Sequence, residues 1–186
     1  MKLYIKYMVS HRCKMKVEAE LDKIKIHHKT VDLGEVEIED TITLEQYSQL
    51  KIALSLSGLE LINDRKEILV EKVKTLIINM VHHTDKLFKT KNSVYISNQL
   101  NYDYAYLANL FSEVTGTTIE QYIIANKIER VKELLLYDRL TLSEIAYQLN
   151  YSSVAHLSSQ FKKVTGLSSK LFKQLNHKKR FLLESL

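Results

Sequence analysis

The sequence predicts an α+β N-terminal domain followed by an all-α domain, and three observations carry that division. Alternating apolar runs interleaved with helical patterns end near residue 64, and helical periodicity takes over from Arg65. The chain has no proline, and its four glycines all fall at the ends of such runs. Charge divides at the same place: residues 1–65 carry ten basic and eleven acidic side chains, residues 66–186 seventeen and eleven. A basic half beside a neutral one suggests that one half meets a polyanion and the other serves a different purpose.

In the first domain, Leu3 to Met8 alternates as a strand and Cys13 to Lys25 follows a helical pattern. Lys29 to Leu33 and Glu35 to Ile38 flank Gly34, where a residue tolerant of positive φ turns a β-hairpin. Thr43 to Ser57 reads as a helix, opened by a Thr43/Gln46 capping box and closed by Gly58. Leu59 to Ile62 completes the order βαββαβ, the ferredoxin-like arrangement, over residues 1–64. A linker helix is expected over residues 65–85, with Leu69, Val73, Leu76 and Met80 on one stripe. At under three heptads the stripe is short for an independent coiled coil, so it is expected to pack on its own domains.

The helical half contains an internal repeat. LNYDYAYLANLFSEVTG, from Leu100 to Gly116, recurs as LNYSSVAHLSSQFKKVTG, from Leu149 to Gly166. Each copy reads as a short helix, an Asn-Tyr turn and a second helix, with Asn101 and Asn150 where a left-handed residue is needed. Asp103 can cap the second helix of copy one, and Ser152 or Ser153 that of copy two. The inward residues are Ile96, Leu100, Leu107, Leu110 and Phe111 in copy one, and Leu142, Ile145, Leu149, Leu157 and Phe161 in copy two. A Thr141/Glu144 capping box starts the first helix of copy two. A Thr117/Glu120 box opens the connecting helix Ile119 to Tyr137, whose apolar stripe is Ile124, Ile128, Val131 and Leu135. The second half is therefore a tandem helix-turn-helix domain. One such motif is a weak signal, because any tight αα-hairpin imitates it. Two copies on one spacer helix can enter successive major grooves about 34 Å apart.

These residues resemble the DNA-binding domain of AraC/XylS transcription regulators over residues 86–176, most specifically along LSEIAYQLNYSSVAHLSSQFKKVTGLSSKLFKQ. The resemblance implies that Tyr104 to Val114 and Val154 to Val164 are recognition helices. Ser169 stands where the family usually has proline, and Asn101 and Asn150 stand at its usual turn glycines. The faces opposite the inward sets hold Tyr104, Ala105, Ala108, Asn109 and Ser112 in one helix, and Val154, Ala155, Ser158, Ser159 and Lys162 in the other. Neither contains arginine, so base reading rests on Asn109 with adenine, on the serine hydroxyls and on methyl contacts to thymine. Phosphate contacts are expected from Lys162, Lys163, Lys170 and Lys173. The stretch from Ser93 to Thr117 has no Lys or Arg, and residues 177–186 form a basic tail with Lys178, Lys179 and Arg180. The expected partner is double-stranded DNA, with a protein partner or self-association through the N-terminal domain as a further possibility.

The N-terminal order also resembles heavy-metal-associated domains, whose ligands are a C-x-x-C pair after the first strand. Here Ser10 takes the first position and only Cys13 matches, leaving Cys13 and His11 as weak candidates and no expected cofactor. His82, His83 and Asp85 end the linker helix, where adjacent residues about 100° apart make a poor chelate. A metal-handling protein whose helical half mediates protein contacts is the competing reading. No phosphate-binding glycine loop, H-E-x-x-H or G-x-S-x-G occurs, so an enzyme is not expected. Cys13 alone cannot form an internal disulfide, and no run approaches the roughly 18 apolar residues of a membrane span. Lys6, His11 and Arg12 interrupt the N-terminus where a signal peptide needs an apolar core, so a cytoplasmic protein is expected.

Overall fold

The computed structural model describes residues 1–82, 90–137 and 140–175. The chain forms two compact units, one of Met1–Ile78 with Ile96–Gly116 and the other of Asn79–Tyr95 with the chain from Thr117 onward. The units thus do not follow a boundary at residue 86: the second helix of the first repeat shares a unit with the N-terminal residues.

The first unit opens with β1 (Lys2–Lys6), α1 (His11–Lys23), β2 (His28–Asp32), β3 (Glu35–Ile38), α2 (Leu44–Ser55) and β4 (Glu60–Ile62). The sheet order is β2-β3-β1-β4 with every neighbouring pair antiparallel. Period-two alternation sends Leu3, Ile5, Val36 and Ile38 to one side, and the register aligns Leu3 with Val36 and Ile5 with Leu61. Val17 and Leu21 of α1 and Leu50 and Leu54 of α2 join them in one apolar core. Removing these side chains from water is the main force holding the unit together.

Local signals explain most element ends. Gly34, at φ +82°, turns the hairpin, and a Cβ there would lie 2.9 Å from Thr75 Oγ1. Helix α1 starts two residues earlier than the apolar pattern suggested and stops at Lys23, because Lys25 turns left-handed at φ +59°. The Thr43/Gln46 capping box forms with both hydrogen bonds. Helix α2 ends at Ser55 rather than Ser57: the Leu59 N–H returns to the Leu54 carbonyl at 3.0 Å around Gly58, at φ +73°.

Helix α3 (Arg65–His82) starts on Asp64, whose carboxylate accepts from the Lys66 and Glu67 N–H groups, both at 2.9 Å. Within the first unit it is tied to β1, with Lys6 Nζ 2.9 Å from Glu67 Oε1 and Lys72 Nζ 5.0 Å from the centre of the Tyr4 ring. Of the predicted stripe Val73 and Met80 are buried and Leu69 and Leu76 half-buried, while Val70, Ile77, Ile78 and Val81 are buried beside them. The segment ILVEKVKTLIINMV is apolar over more than one face, and the packing partner selects which face is covered.

The remaining helices are α4 (Asn92–Leu100), α5 (Tyr104–Thr115), α6 (Ile119–Tyr137), α7 (Leu142–Gln148) and α8 (Val154–Thr165), followed by helical residues 169–175. In the second unit α6 packs on α7 and α8. The buried face of α6 is Ile119, Ile123, Ile128, Val131 and Leu135, with Ile124 only half-buried. The capping box of α6 lies one residue later than Thr117/Glu120. Thr118 Oγ1 accepts from the Gln121 N–H at 3.1 Å, and Gln121 Oε1 accepts from the Thr118 N–H at 3.4 Å. Two adjacent threonines offered the cap, and the one whose hydroxyl meets the third helical N–H took it. Among the described residues, no helix is long and apolar enough to cross a membrane.

Candidate nucleic-acid interface

The two repeats reach the same local geometry by the same means. Asn101 and Asn150 adopt φ +56° and +54°, the left-handed turn that a short amide side chain tolerates. Asp103 then caps α5 by accepting from the Tyr106 N–H at 3.1 Å, and Ser153, not Ser152, caps α8 by accepting from the His156 N–H at 3.1 Å. Gly116 and Gly166 close the two helices at φ +71° and +76°. Each helix has 12 residues, and each buries the predicted anchors, Leu107, Leu110 and Phe111 in α5 and Leu157 and Phe161 in α8. Leu100 and Leu142, predicted as core, are half-buried at the edges.

Burial of those anchors determines which side chains face outward. On α5, Ala105 and Asn109 are exposed, and Ala108 and Ser112 are half-exposed on the flank. On α8, Ala155, Ser159, Lys162 and Lys163 are exposed, Val154 is at the margin and Ser158 is half-exposed. Tyr104, like Ala108 and Ser112, is half-buried, about 100° round the helix from Ala105. The exposed aromatic is Tyr106, whose ring stacks on Tyr102 with centroids 5.8 Å apart and planes at 21°.

In the second copy the equivalent position is His156. Its ring meets Tyr151 edge-on at 5.3 Å, and its Nδ1 lies 3.0 Å from Ser152 Oγ. Behind that turn Lys127 Nζ stands 5.1 Å from the centre of the Tyr151 ring, and the Tyr151 hydroxyl donates to Gln160 Oε1 at 2.7 Å. Burial pushes the Lys127 ammonium down and the Tyr151 hydroxyl up to about 12, so the phenol keeps its proton and its hydrogen bond at neutral pH. These contacts hold the turn to α6 and α8.

The outward ends of the helices differ in charge. Helix α8 presents Lys162 and Lys163, whereas α5 carries Ser112 and Glu113 at the matching places. Glu113 is paired within its unit: Lys66 Nζ of α3 lies 2.8 Å from Glu113 Oε1, and that hydrogen bond raises the pKa of the ammonium. Lys170 is exposed and Lys173 half-exposed in the last helical segment. Lys178, Lys179 and Arg180 lie outside the described residues.

Cys13 Sγ is 3.5 Å from Ser10 Oγ, and His11 points outward. Burial pushes the thiol up, but the Ser10 hydroxyl and nearby backbone N–H groups outweigh it and leave the pKa lowered. His82 Nδ1 lies 3.7 Å from Glu133 Oε2, while His83 and Asp85 are outside the described residues. Among the described residues, no group of three or more His, Cys, Asp or Glu side chains could hold a metal ion.

Comparison with known proteins agrees with the helical geometry. Residues 96–174 match a helix-turn-helix domain. That segment contains both Asn turns, α5, α6, α7 and α8. The chain is 33% identical over 70 residues to the xylose operon regulatory protein of Escherichia coli strain K12, covering 38% of this chain and 18% of that protein. It spans less than a fifth of the length of the curated relatives it matches. Among solved structures, the C-terminal domain of AraT, a response regulator from Geobacillus stearothermophilus, matches with a TM-score of 0.51 at 22% identity, covering 60% of this chain and 88% of that one. The DNA-binding domain of AdpA, a global transcriptional factor solved with a target DNA, matches with a TM-score of 0.51 at 15% identity, covering 60% and 95%. The helix-turn-helix part of this chain therefore has the fold of these two domains.

Proposed function

We propose that this protein is a sequence-specific, double-stranded-DNA-binding transcription regulator of the AraC/XylS type, acting by binding rather than by catalysis and working beside bacterial DNA in the cytoplasm. The observation that carries the reading is the duplication itself: two left-handed asparagine turns each lead into a capped, glycine-closed helix of 12 residues with an exposed small and polar face. In this reading α5 and α8 enter successive major grooves. Ala105, Asn109 and Ser112 face bases from one helix and Ala155, Ser159 and Lys162 from the other, with Ala108 and Ser158 at the flanks. Val154 and Tyr106 sit where each helix meets the groove edge, while Lys162, Lys163 and Lys170 meet phosphate. The N-terminal strand order and antiparallel pairing support a ferredoxin-like, heavy-metal-associated-like domain kept for packing or protein contacts. No observation among the described residues favours the metal-handling alternative.

Selection of binding sites from random duplex, followed by affinity measurements at low and moderate salt, tests the reading. Enrichment of a site with two half-sites about one helical turn apart, bound far more tightly than random duplex, is the expected result. Equal affinity for all duplexes, or none, overturns it.

A further inference from the structure

The two copies place the tyrosines of their Asn-Tyr turns differently. In copy two Tyr151 is half-buried: its hydroxyl donates to Gln160 Oε1 at 2.7 Å, and Lys127 Nζ stands 5.1 Å from its ring centre. Counted from the N-caps Asp103 and Ser153, the place of Gln160 is taken in copy one by the buried Leu110, which offers no acceptor. Tyr102 turns outward instead. It is 47% exposed and stacks on Tyr106, 49% exposed, with ring centroids 5.8 Å apart. Neither phenol hydroxyl has a hydrogen-bond partner among the described residues.

This pair borders the outward face of α5. Helical geometry sets Tyr106 and Glu113, seven residues apart, within about 20° of each other and roughly 40° to 60° from Asn109. A helix lying in the major groove has base edges ahead of it and a phosphate wall at each side, so this border faces phosphate. The stretch from Ser93 to Thr117 supplies no Lys or Arg to meet it. Helix α3 does: Lys66 Nζ lies 2.8 Å from Glu113 Oε1, with its side chain 57% exposed. That bond does most to raise the pKa of the ammonium, and the nearby Tyr106 phenol adds to it. An ammonium has three N–H donors and Glu113 takes one, leaving two for a further acceptor.

Taking α5 as a recognition helix, as above, we propose that Lys66 Nζ and the Tyr102 and Tyr106 hydroxyls hold backbone phosphate of the DNA beside it. A residue outside the tandem helix-turn-helix then supplies the cation that the first copy lacks. Ammonium and phenol groups both donate to phosphate oxygens, and such contacts fix the register of a helix on the duplex without reading its sequence.

Salt titrations of the full chain on a duplex selected by wild type and on random duplex test this. Lys66→Ala by itself also uncovers Glu113, so the deciding protein carries it together with Glu113→Gln and is compared with Glu113→Gln alone. Adding Lys66→Ala should make the slope of log affinity against log salt shallower by about 0.9, the share of one phosphate. Tyr102→Phe with Tyr106→Phe keeps both rings and removes both hydroxyls. That protein should bind both duplexes about threefold to tenfold more weakly at an unchanged slope. All four positions are exposed, so circular dichroism and melting should stay near wild type. A slope that Lys66→Ala leaves untouched once the Glu113 charge is gone, or full affinity in the phenylalanine pair, overturns the proposal while site-specific binding stands. A wild type that binds no duplex overturns the regulator reading, and this contact falls with it.

Discussion

Lys66 Nζ in the first turn of α3 lies 2.8 Å from Glu113 Oε1 in the last turn of α5. The pair joins residues 47 apart in sequence. Both side chains are more than half exposed, so water and salt screen the attraction and it adds little to stability. Its consequence lies on the outward side of α5, where it neutralises the carboxylate in the place that Lys163 holds in α8.

Altering that pair should therefore change DNA affinity more than folding. Lys66→Ala, which leaves Glu113 uncovered, should weaken binding to every duplex, and Glu113→Gln should strengthen it. Melting temperatures of both variants should stay near wild type. Affinities that respond to neither change would show that this end of α5 stands clear of the phosphate backbone.

The lysine pair of α8 should dominate the ionic component. Each phosphate neutralised contributes about −0.9 to the slope of log affinity against log salt. Replacing both Lys162 and Lys163 with alanine should make that slope shallower by roughly 1 to 2 units and weaken all sequences alike. A salt titration on a selected site and on random duplex measures it, and an unchanged slope assigns the phosphate contacts elsewhere.

Asn109→Ala should behave in the opposite manner. Its amide is exposed at the centre of the outward face of α5, where it can pair with the two major-groove hydrogen-bonding atoms of adenine. Loss of a bidentate contact costs about 1 to 3 kcal/mol on the preferred site. Random-duplex affinity and the salt slope should barely move. Equal loss on both duplexes would mark Asn109 as a nonspecific contact.

The left-handed asparagines can be tested through folding. An alanine at φ +54° brings its Cβ against the backbone without asparagine's local hydrogen bonding, at a cost of roughly 1 to 2 kcal/mol. Asn150→Ala should lower stability by about that amount and Asn150→Gly by much less, as measured by denaturant unfolding. The same order is expected at Asn101.

The start of α7 should respond to acid. The Glu144 carboxylate accepts from the Thr141 N–H at 2.7 Å and from its hydroxyl at 2.8 Å, and these bonds hold its pKa below the ordinary 4.5. A depressed folded-state pKa stabilises the fold above the unfolded value, and that contribution disappears as pH falls through the folded one. Wild type should therefore lose stability below about pH 4.5 more steeply than Glu144→Gln, which cannot titrate. Parallel curves for the two proteins would remove Glu144 from the acid response.

Some of this protein was legible in the residues alone because the responsible physics acts within about four residues of chain. Asn101 and Asn150 turn left-handed, Gly116 and Gly166 close helices, and Thr43 and Thr141 cap them by contacts with their own next turn. The element order and the duplicated motif follow from such local agreements, and so did the anchors Phe111 and Phe161, which recur at one spacing. Where two neighbours offered the same chemistry, the sequence did not discriminate, as with Thr117 beside Thr118 or Ile123 beside Ile124. A helix with apolar residues over more than one face can rotate about its axis without violating its pattern. Packing therefore buried Val70 more deeply than Leu69 and left Tyr106 more exposed than Tyr104. Helical periodicity could not reveal that Lys66 reaches Glu113, since that contact depends on how α3 and α5 pack within one unit. The sequence by itself determined where the chain turns, because turning is a property of single residues and their immediate hydrogen bonds. Only the tertiary structure decided which face each helix shows to solvent, because that depends on partners distant along the chain.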